Sequence, residues 1–160
     1  MSVAFVKEES AETAAETQLP DRPVSQHPNF VTEAGLKALE EQMKAARAAH
    51  ELASAVEDVN ERRRQSAVPY RDLKYLTDRL RTAQIIPAPE TNAVVAFGST
   101  VTFERDDGRA QTWRITGEDE ANPASGSVSH VSPLSVALMG KQVGDEAVVA
   151  GQTVEIVAVD

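Results

Sequence analysis

Few side chains of this sequence belong to types that catalyse reactions unaided. There is no cysteine, which excludes disulfides, thiolate catalysis and cysteine-ligated zinc. The three histidines (His27, His50 and His130) are too scattered to predict a metal cluster, and no serine lies in a nucleophile motif. The sequence therefore predicts a protein that is not an enzyme and that has no cofactor of its own.

The stretch EDVNERRR, residues 57–64, places two acids next to three arginines. The acids are Asp58 and Glu61, and the arginines are Arg62, Arg63 and Arg64. On a solvated helix such residues form ordinary ion pairs that contribute little to stability. The arginines are nevertheless expected to face something acidic, either phosphate groups or the carboxylates of a partner.

The net charge of −9 is unevenly distributed along the 160 residues. Residues 87–160 hold eleven acids and only four bases, so this part cannot bind nucleic acid by neutralising phosphates. A protein partner would have to bring the chain to DNA or RNA. The acidic turn Glu118–Glu120 is either solvated or complementary to a basic partner surface. Because the chain has neither an apolar run that could span a membrane nor a secretory signal, we expect a cytoplasmic protein.

Residues 1–30 are polar, have no sustained period and predict a disordered tail. Residues 31–86 predict an antiparallel helical hairpin that begins at the N-cap Thr32. The apolar positions of its first helix recur at spacings of three and four, as in a coiled coil. They are Leu36, Leu39, Met43, Ala46, His50 and Ala53.

The second helix repeats this rhythm with Leu73, Leu76, Leu80 and Ala83. Pro69 either begins a helix at its first turn or kinks a longer one. The turn of the hairpin is therefore expected at residues 57–61 or, alternatively, at residues 65–69. Away from its leucine-rich ends the hairpin is expected to be mobile.

Residues 87–92, PAPETN, are the predicted linker, and residues 93–160 change to the period of strands. A first hairpin turns at Asp107-Gly108, and a second one turns near Gly151. A short helix between them stops at Gly140. The apolar residues of the first hairpin are Val101, Phe103, Trp113 and Ile115. The short helix is predicted from Leu134 to Met139. In the last strand, one face is predicted to hold Val154, Ile156 and Ala158. The sequence thus predicts an α+β fold.

Four C-terminal segments resemble, in order and spacing, the GreA/GreB family of transcription elongation factors: FGSTVTF, WRITGEDEA, SVSHVSPLSVALMGKQVGD and VEIVAV. The segments TEAGLKALEEQ and RLRTAQII, at the start and end of the hairpin, resemble the family too, so the resemblance covers roughly residues 31–160. It implies an antiparallel coiled coil followed by an FKBP-like domain, residues 93–160, in a monomer. It also implies that this domain docks on bacterial RNA polymerase at the rim of the secondary channel. The coiled coil is then inserted toward the catalytic magnesium, with indirect contact to nascent RNA and DNA.

Ser132, Pro133 and Leu134 match the polymerase-binding turn of that family. Ser132 is a typical N-cap and Pro133 fixes the backbone, so Leu134 and nearby apolar groups can present a docking surface. The alternative is that Ser-Pro only caps the helix, and that the apolar residues after it are core. Those residues are Val136, Leu138 and Met139.

Family members that stimulate transcript cleavage carry two acids at the hairpin tip, in the form Asp-x-x-Glu, which Asp58 and Glu61 match. The resemblance implies that these acids help to hold a second magnesium ion, shared with the polymerase, and to position the attacking water. The polymerase itself performs the hydrolysis. This sequence departs from the pattern at Glu57, where the family has glycine, and at residues 62–64, which replace Asn-x-x-Tyr. Each arm is also shorter than usual by roughly one heptad, or about 10 Å.

Three functions remain open at this point. The first is an elongation factor that stimulates cleavage of backtracked RNA, and the second is a regulator that binds in the same channel without cleavage. The third, a peptidyl-prolyl isomerase or chaperone, follows from the FKBP-like fold alone. It is disfavoured because only Phe97, Phe103 and Trp113 could line an aromatic pocket, and at least two of these have the spacing of core residues.

Overall fold

The structure, a computed structural model, describes residues 18–160. Residues 1–17 of the predicted tail lie outside the described part. The described residues form two compact units, which we call the helical unit and the β unit. The helical unit comprises residues 18–24 and Leu39–Arg81, and the β unit comprises Ser25–Ala38 and Thr82–Asp160.

The division between the units differs from the predicted segments 31–86 and 93–160. The first turns of the first helix, up to Ala38, belong with the β unit, and so do the residues that follow the hairpin from Thr82 onward. Residues 18–30, the described part of the predicted disordered tail 1–30, include the strand residue Phe30 and Arg22, which pairs with Asp72.

Two long helices form the predicted hairpin, α1 at Glu33–Ser54 and α2 at Val59–Thr82. Thr32 caps α1 as predicted, because its Oγ1 accepts the N–H of Gly35 at 2.9 Å and its carbonyl accepts that of Leu36 at 2.9 Å. Within the helical unit the predicted seam is buried at Leu39, Met43, Ala46, Ala53 and Leu76.

The hairpin turn occupies residues 55–58. The rings of His50 and Tyr70 lie 6.3 Å apart between centroids, so the two helices are neighbours on either side of this turn. α2 continues through Pro69. Because proline has no N–H, the carbonyl of Gln65 does not receive the helical hydrogen bond that residue 69 would otherwise donate. The alternative turn at residues 65–69 is therefore wrong.

A pair of two-residue strands connects the start and the end of the hairpin. β1, Phe30–Val31, pairs in parallel with β2, Gln84–Ile85. The N–H of Gln84 donates to the carbonyl of Asn29 at 2.9 Å. Strands this short have no periodicity, and the sequence did not predict them.

Five strands form the sheet of the β unit, in the order β5-β4-β3-β7-β6, with only β4 and β5 parallel. They are β3 (Thr100–Arg105), β4 (Ala110–Thr116), β5 (Ser127–Ser129), β6 (Glu146–Val149) and β7 (Gln152–Val159). The short helix α3, Pro133–Leu138, follows β5. The predicted α+β fold, a helical hairpin followed by a β-rich unit with a short helix, is confirmed.

The core of the β unit forms where the buried faces of the strands meet α3. Its buried members are Val95, Val101, Phe103, Ile115, Leu138, Ala147, Val154, Ile156 and Val159. Trp113 and Leu134 pack against them and are half-buried. Phe97 and Phe103 are both buried, so at least two of the three candidate aromatic residues belong to the core, as predicted.

β7 departs from the predicted alternation at Val157. Thr102 pairs with Ala158, whereas Phe103 pairs with Ile156, so Val157 is the extra residue of a β-bulge. Beyond the bulge the buried position passes to Val159, and Ala158 is half-buried. The prediction that Ala158 shares one face with Val154 and Ile156 is therefore wrong.

Candidate functional site

Asp58 lies at the end of the hairpin turn and is the N-cap of α2. Its Oδ1 accepts the backbone N–H of Glu61 at 2.7 Å, and its carbonyl accepts the N–H of Arg62 at 2.9 Å. An aspartate here satisfies one of the unpaired N–H groups of the first turn, and its charge is favourable at the positive end of the helix. The side chain is exposed, so the helix start positions a carboxylate in water.

Glu61 lies one turn further along α2. Its Oε2 accepts from Nη1 of Arg64 at 3.2 Å, and its Oε1 accepts from Nε2 of Gln65 at 2.9 Å. The side chains of Glu61 and Arg64 are 44% and 61% exposed, so the ion pair is solvated and weak. The structure thus brings both predicted acids to the same end of the hairpin, each held by local hydrogen bonds.

The two carboxylates fit a shared magnesium ion in their chemistry. Carboxylate oxygens are the ligands that Mg²⁺ prefers, and the solvated bonds of Glu61 can be exchanged at little cost. Among residues 18–160 no three histidine, aspartate or glutamate side chains are grouped so as to hold a metal. A partner would have to supply the remaining ligands.

The start of α3 has the geometry that Ser132 and Pro133 predict. The N–H of Ser135 donates to Oγ of Ser132 at 3.2 Å, and Oγ of Ser135 donates to the carbonyl of Ser129 at 2.7 Å. Pro133 occupies the first helical position, where its missing N–H is not needed. These bonds fix the helix start to the end of β5.

The exposed side of α3 is apolar. Leu138 is fully buried and Leu134 packs against the core, but Val136 is 66% exposed and Met139 is 36% exposed. The alternative interpretation, in which all of these residues are core, is therefore wrong for Val136 and Met139. We call Pro133, Val136 and Met139 the α3 surface; apolar groups exposed side by side are typical of protein interaction sites.

The acidic turn after β4 has a partner within the β unit. Oγ1 of Thr32 donates to Oε2 of Glu120 at 2.6 Å while it accepts the N–H of Gly35. Neither interpretation from the sequence holds for Glu120, which ties the turn to the cap of α1. The contact joins residues 88 positions apart, and no local pattern signals such a bond.

His130 packs between two aromatic rings of the β unit. The centroid of its ring lies 5.2 Å from that of Phe30 and 5.5 Å from that of Phe97. Both ring nitrogens are buried, and neither has a hydrogen-bond partner among residues 18–160. This histidine therefore belongs to the packing that surrounds β1.

Sequence reasoning missed the contacts of residues 18–24, which we call the N-terminal arm. The guanidinium of Arg22 lies 3.8 Å from the ring centroid of Tyr75 and pairs with Asp72 at 3.2 Å. Lys74 donates a hydrogen bond to Asp21, and this bond raises the pKa of Lys74 above its usual value. The arm is thereby held against α2 by charge and by cation–π contact.

No helix among residues 18–160 is long and apolar enough to cross a membrane. Residues 90–160 match the family described as transcription elongation factor, GreA/GreB, C-term. A protein named transcription elongation factor GreA from Desulfovibrio desulfuricans is 35% identical over 128 residues, which cover 70% of this chain and 78% of that protein. One of the same name from Bacillus licheniformis is 37% identical over 115 residues, covering 71% and 72%. The solved structure of GreA factor homolog 1 (Gfh1) from Thermus thermophilus matches 84% of this chain and 99% of its own, at 22% identity and a TM-score of 0.39.

Proposed function

Because this chain belongs to the GreA/GreB family of transcription elongation factors, we propose that it binds RNA polymerase and stimulates cleavage of backtracked RNA. In this proposal the β unit docks at the rim of the secondary channel and the hairpin is inserted toward the catalytic magnesium. The observation that carries the proposal is the position of the two acids: Asp58 ends the hairpin turn, and Glu61 lies in the first turn of α2 that follows it. A helical hairpin presents its turn first to any channel that it enters.

The roles of the tip residues follow from their local bonds. A second magnesium ion bound there would polarise the scissile phosphate and lower the pKa of a bound water. Asp58 and Glu61 would hold that ion together with ligands of the polymerase. The N–H of Glu61 orients the Asp58 carboxylate, and Arg64 and Gln65 orient that of Glu61. Once Glu61 leaves Arg64, the arginine is available to a phosphate of the RNA.

A second function, channel binding without cleavage, is favoured by one observation. Both oxygens of Glu61 and one oxygen of Asp58 already accept hydrogen bonds from α2. If Asp58 and Glu61 keep these bonds inside the channel, they do not coordinate a magnesium ion. The tip then contacts the polymerase or the RNA through Arg62, Arg63 and Arg64. The two functions differ only in whether RNA fragments are released.

The β unit is proposed to dock through Ser132, Pro133 and Leu134 and through the exposed part of the α3 surface. We expect Val136→Glu to weaken polymerase binding at least tenfold, roughly 1.4 kcal/mol, because it places a charge in an apolar contact. Val157→Glu is the matched control, since Val157 is 39% exposed on β7 and outside α3. Titration of labelled polymerase measures both affinities. Equal affinities for Val136→Glu and the wild type would mean that docking uses another surface.

A further inference from the structure

Four basic side chains lie along one face of α2. They are Arg63, Arg64, Arg71 and Lys74, and we call them the basic stripe. Positions 64, 67, 71 and 74 recur at spacings of three and four, and position 63 precedes position 67 by four, so all five lie on the same side of the helix. The proposed cleavage chemistry uses only Arg64 of this set, through its bond with Glu61.

The N-terminal arm covers one end of the basic stripe. Asp21 binds Lys74, and the arm and α2 together enclose a cleft of about 450 Å³. The arm lines this cleft with residues 18–21, and α2 lines it with Ala67, Tyr70, Arg71 and Lys74. Nε of Arg71 is buried and, among residues 18–160, has no hydrogen-bond partner, although it lies 3.6 Å from Oδ1 of Asp72. At the other end of the stripe Arg64 pairs with Glu61, and no described hydrogen bond or ion pair joins Arg63 or Arg64 to residues 18–24.

The contacts of the arm move toward the start of α2 as the chain is followed back from Arg22 to residues 18–21. Arg22 contacts Asp72 and Tyr75, whereas residues 18–21 line a cleft that reaches Ala67. From Ala67 to Arg63 is four positions, or about 6 Å along the helix axis. The chain therefore leaves the described part close to the uncovered arginines.

The 17 residues that precede the arm are acidic. They contain Glu8, Glu9, Glu12 and Glu16 against the single base Lys7, so their side chains carry a net charge of −3. A segment of 17 residues reaches at most roughly 60 Å, far more than the rise of about 6 Å between Ala67 and Arg63. Tethering of this kind gives an effective concentration of the order of 1 mM, so even weak ion pairing is populated.

We propose that residues 1–17 bind Arg63 and Arg64 and so extend the cover of the basic stripe to the hairpin tip. The occupant of this surface is the chain's own acidic segment, selected by charge complementarity and by the point at which the arm ends. In the transcription complex this segment competes with phosphates or carboxylates for the same arginines. The competition rests on the proposed function, but the intramolecular contact does not.

A spin label tests the contact in the isolated, full-length protein. Since the chain has no cysteine, Ser10→Cys provides one attachment site among the glutamates. We expect the nitroxide to reduce the amide signals of residues 60–67 by at least half at low ionic strength. The signals should recover at about 0.5 M salt, where exposed charges are screened beyond roughly 4 Å.

Two matched variants of the labelled protein separate charge from proximity. Replacement of the four glutamates by glutamine removes the charge of the segment, and Arg63→Gln with Arg64→Gln removes its target. Each should restore the signals of residues 60–67. The proposal would be overturned by full signals in the labelled parent at low salt. It would also be overturned if the signals of residues 60–67 were attenuated in both variants as strongly as in the labelled parent.

Polymerase binding tests the competition separately. Deletion of residues 1–17 should raise the affinity for polymerase severalfold at low salt, and the four-glutamine variant should do the same. Unchanged affinity in both would contradict the competition. If no form of the protein binds polymerase, the proposed function fails, while the spin-label result still decides the intramolecular contact.

Discussion

Asp58 combines two roles that differ in the atoms they need. Capping α2 needs only an oxygen that accepts the N–H of Glu61, whereas holding a cation needs the negative charge. The Asp-x-x-Glu spacing indicated the second role, and the first became visible only when the turn was located at residues 55–58. The sequence could predict which residues stand near the tip because a cap and a turn are local features.

The two roles of Asp58 predict different outcomes for two substitutions. Asp58→Ala should lower the free energy of unfolding of the helical unit by about 0.5–2 kcal/mol, because it removes the cap. Asp58→Asn keeps an accepting oxygen and should cost only a few tenths of a kcal/mol. Thermal melting followed by helical circular dichroism measures both. Equal losses for alanine and asparagine would show that Asp58 does not act as a cap.

Asp107 at the β3–β4 turn predicts a dependence on pH. Its pKa lies below the ordinary value of 3.8, first because the Arg109 side chain hydrogen-bonds to it and then because the Arg109 backbone N–H does. A carboxyl whose pKa is lowered by folding adds stability above its unfolded pKa, and that stability is lost as the pH falls through the lowered value. An NMR titration of the Asp107 carboxyl should therefore have a midpoint below 3.8, and Arg109→Gln should raise it. A midpoint at or above 3.8 in the wild type would contradict the turn geometry.

At the scale of elements, the sequence predicted what periodicity and turn chemistry encode. The two long helices, the hairpin at Asp107-Gly108 and the cap at Ser132 are all present, because each depends on neighbours in the chain. The bulge at Val157 and the β1–β2 pair were not predictable, since they arise from pairing between distant segments. The arm was missed for the same reason: its polar composition is typical of disorder, and its partners are on α2.

β1 is accommodated by a close backbone approach at Gly117. A Cβ at this buried position would lie 2.4 Å from the carbonyl oxygen of Phe30, which is backbone and cannot turn aside. Gly117→Ala should therefore destabilise the β unit by about 1–3 kcal/mol, the usual cost of overpacking. Urea unfolding followed by the fluorescence of Trp113, the only tryptophan, measures this.

Gly35→Ala is the control for that experiment. Its added Cβ would meet the carboxylate end of the Glu120 side chain, at 2.7 Å; this side chain can move away, at the cost of its hydrogen bond with Thr32. Alanine also favours the helix by about 1 kcal/mol over glycine, so the net loss should be smaller than for Gly117→Ala. A larger loss at Gly35 than at Gly117 would mean that β1 is not held by this close approach.

The whole molecule separates its charges in a way that suits its proposed task. The residues after the hairpin are strongly acidic, whereas α2 carries the basic stripe and begins at a tip with two acids. α1 and α2 have 22 and 24 residues, so the two helices of the hairpin are about 33 and 36 Å long. The family resemblance could supply the partner and the direction of insertion. It could not supply the N-terminal arm or its proposed acidic extension, because the resemblance covers roughly residues 31–160.

Release of RNA from backtracked complexes of bacterial RNA polymerase measures the central claim, that the tip lends carboxylates to the polymerase. With magnesium present, the wild-type protein should release short 3′ fragments from these complexes. Glu61→Gln and Asp58→Asn should each reduce the release rate at least tenfold at unchanged polymerase affinity, because each removes one charged ligand and keeps the shape. Glu57→Gln, a neighbouring acid outside the Asp-x-x-Glu spacing, should release fragments like the wild type. A wild-type protein that binds the complexes but releases no fragments would contradict the claim.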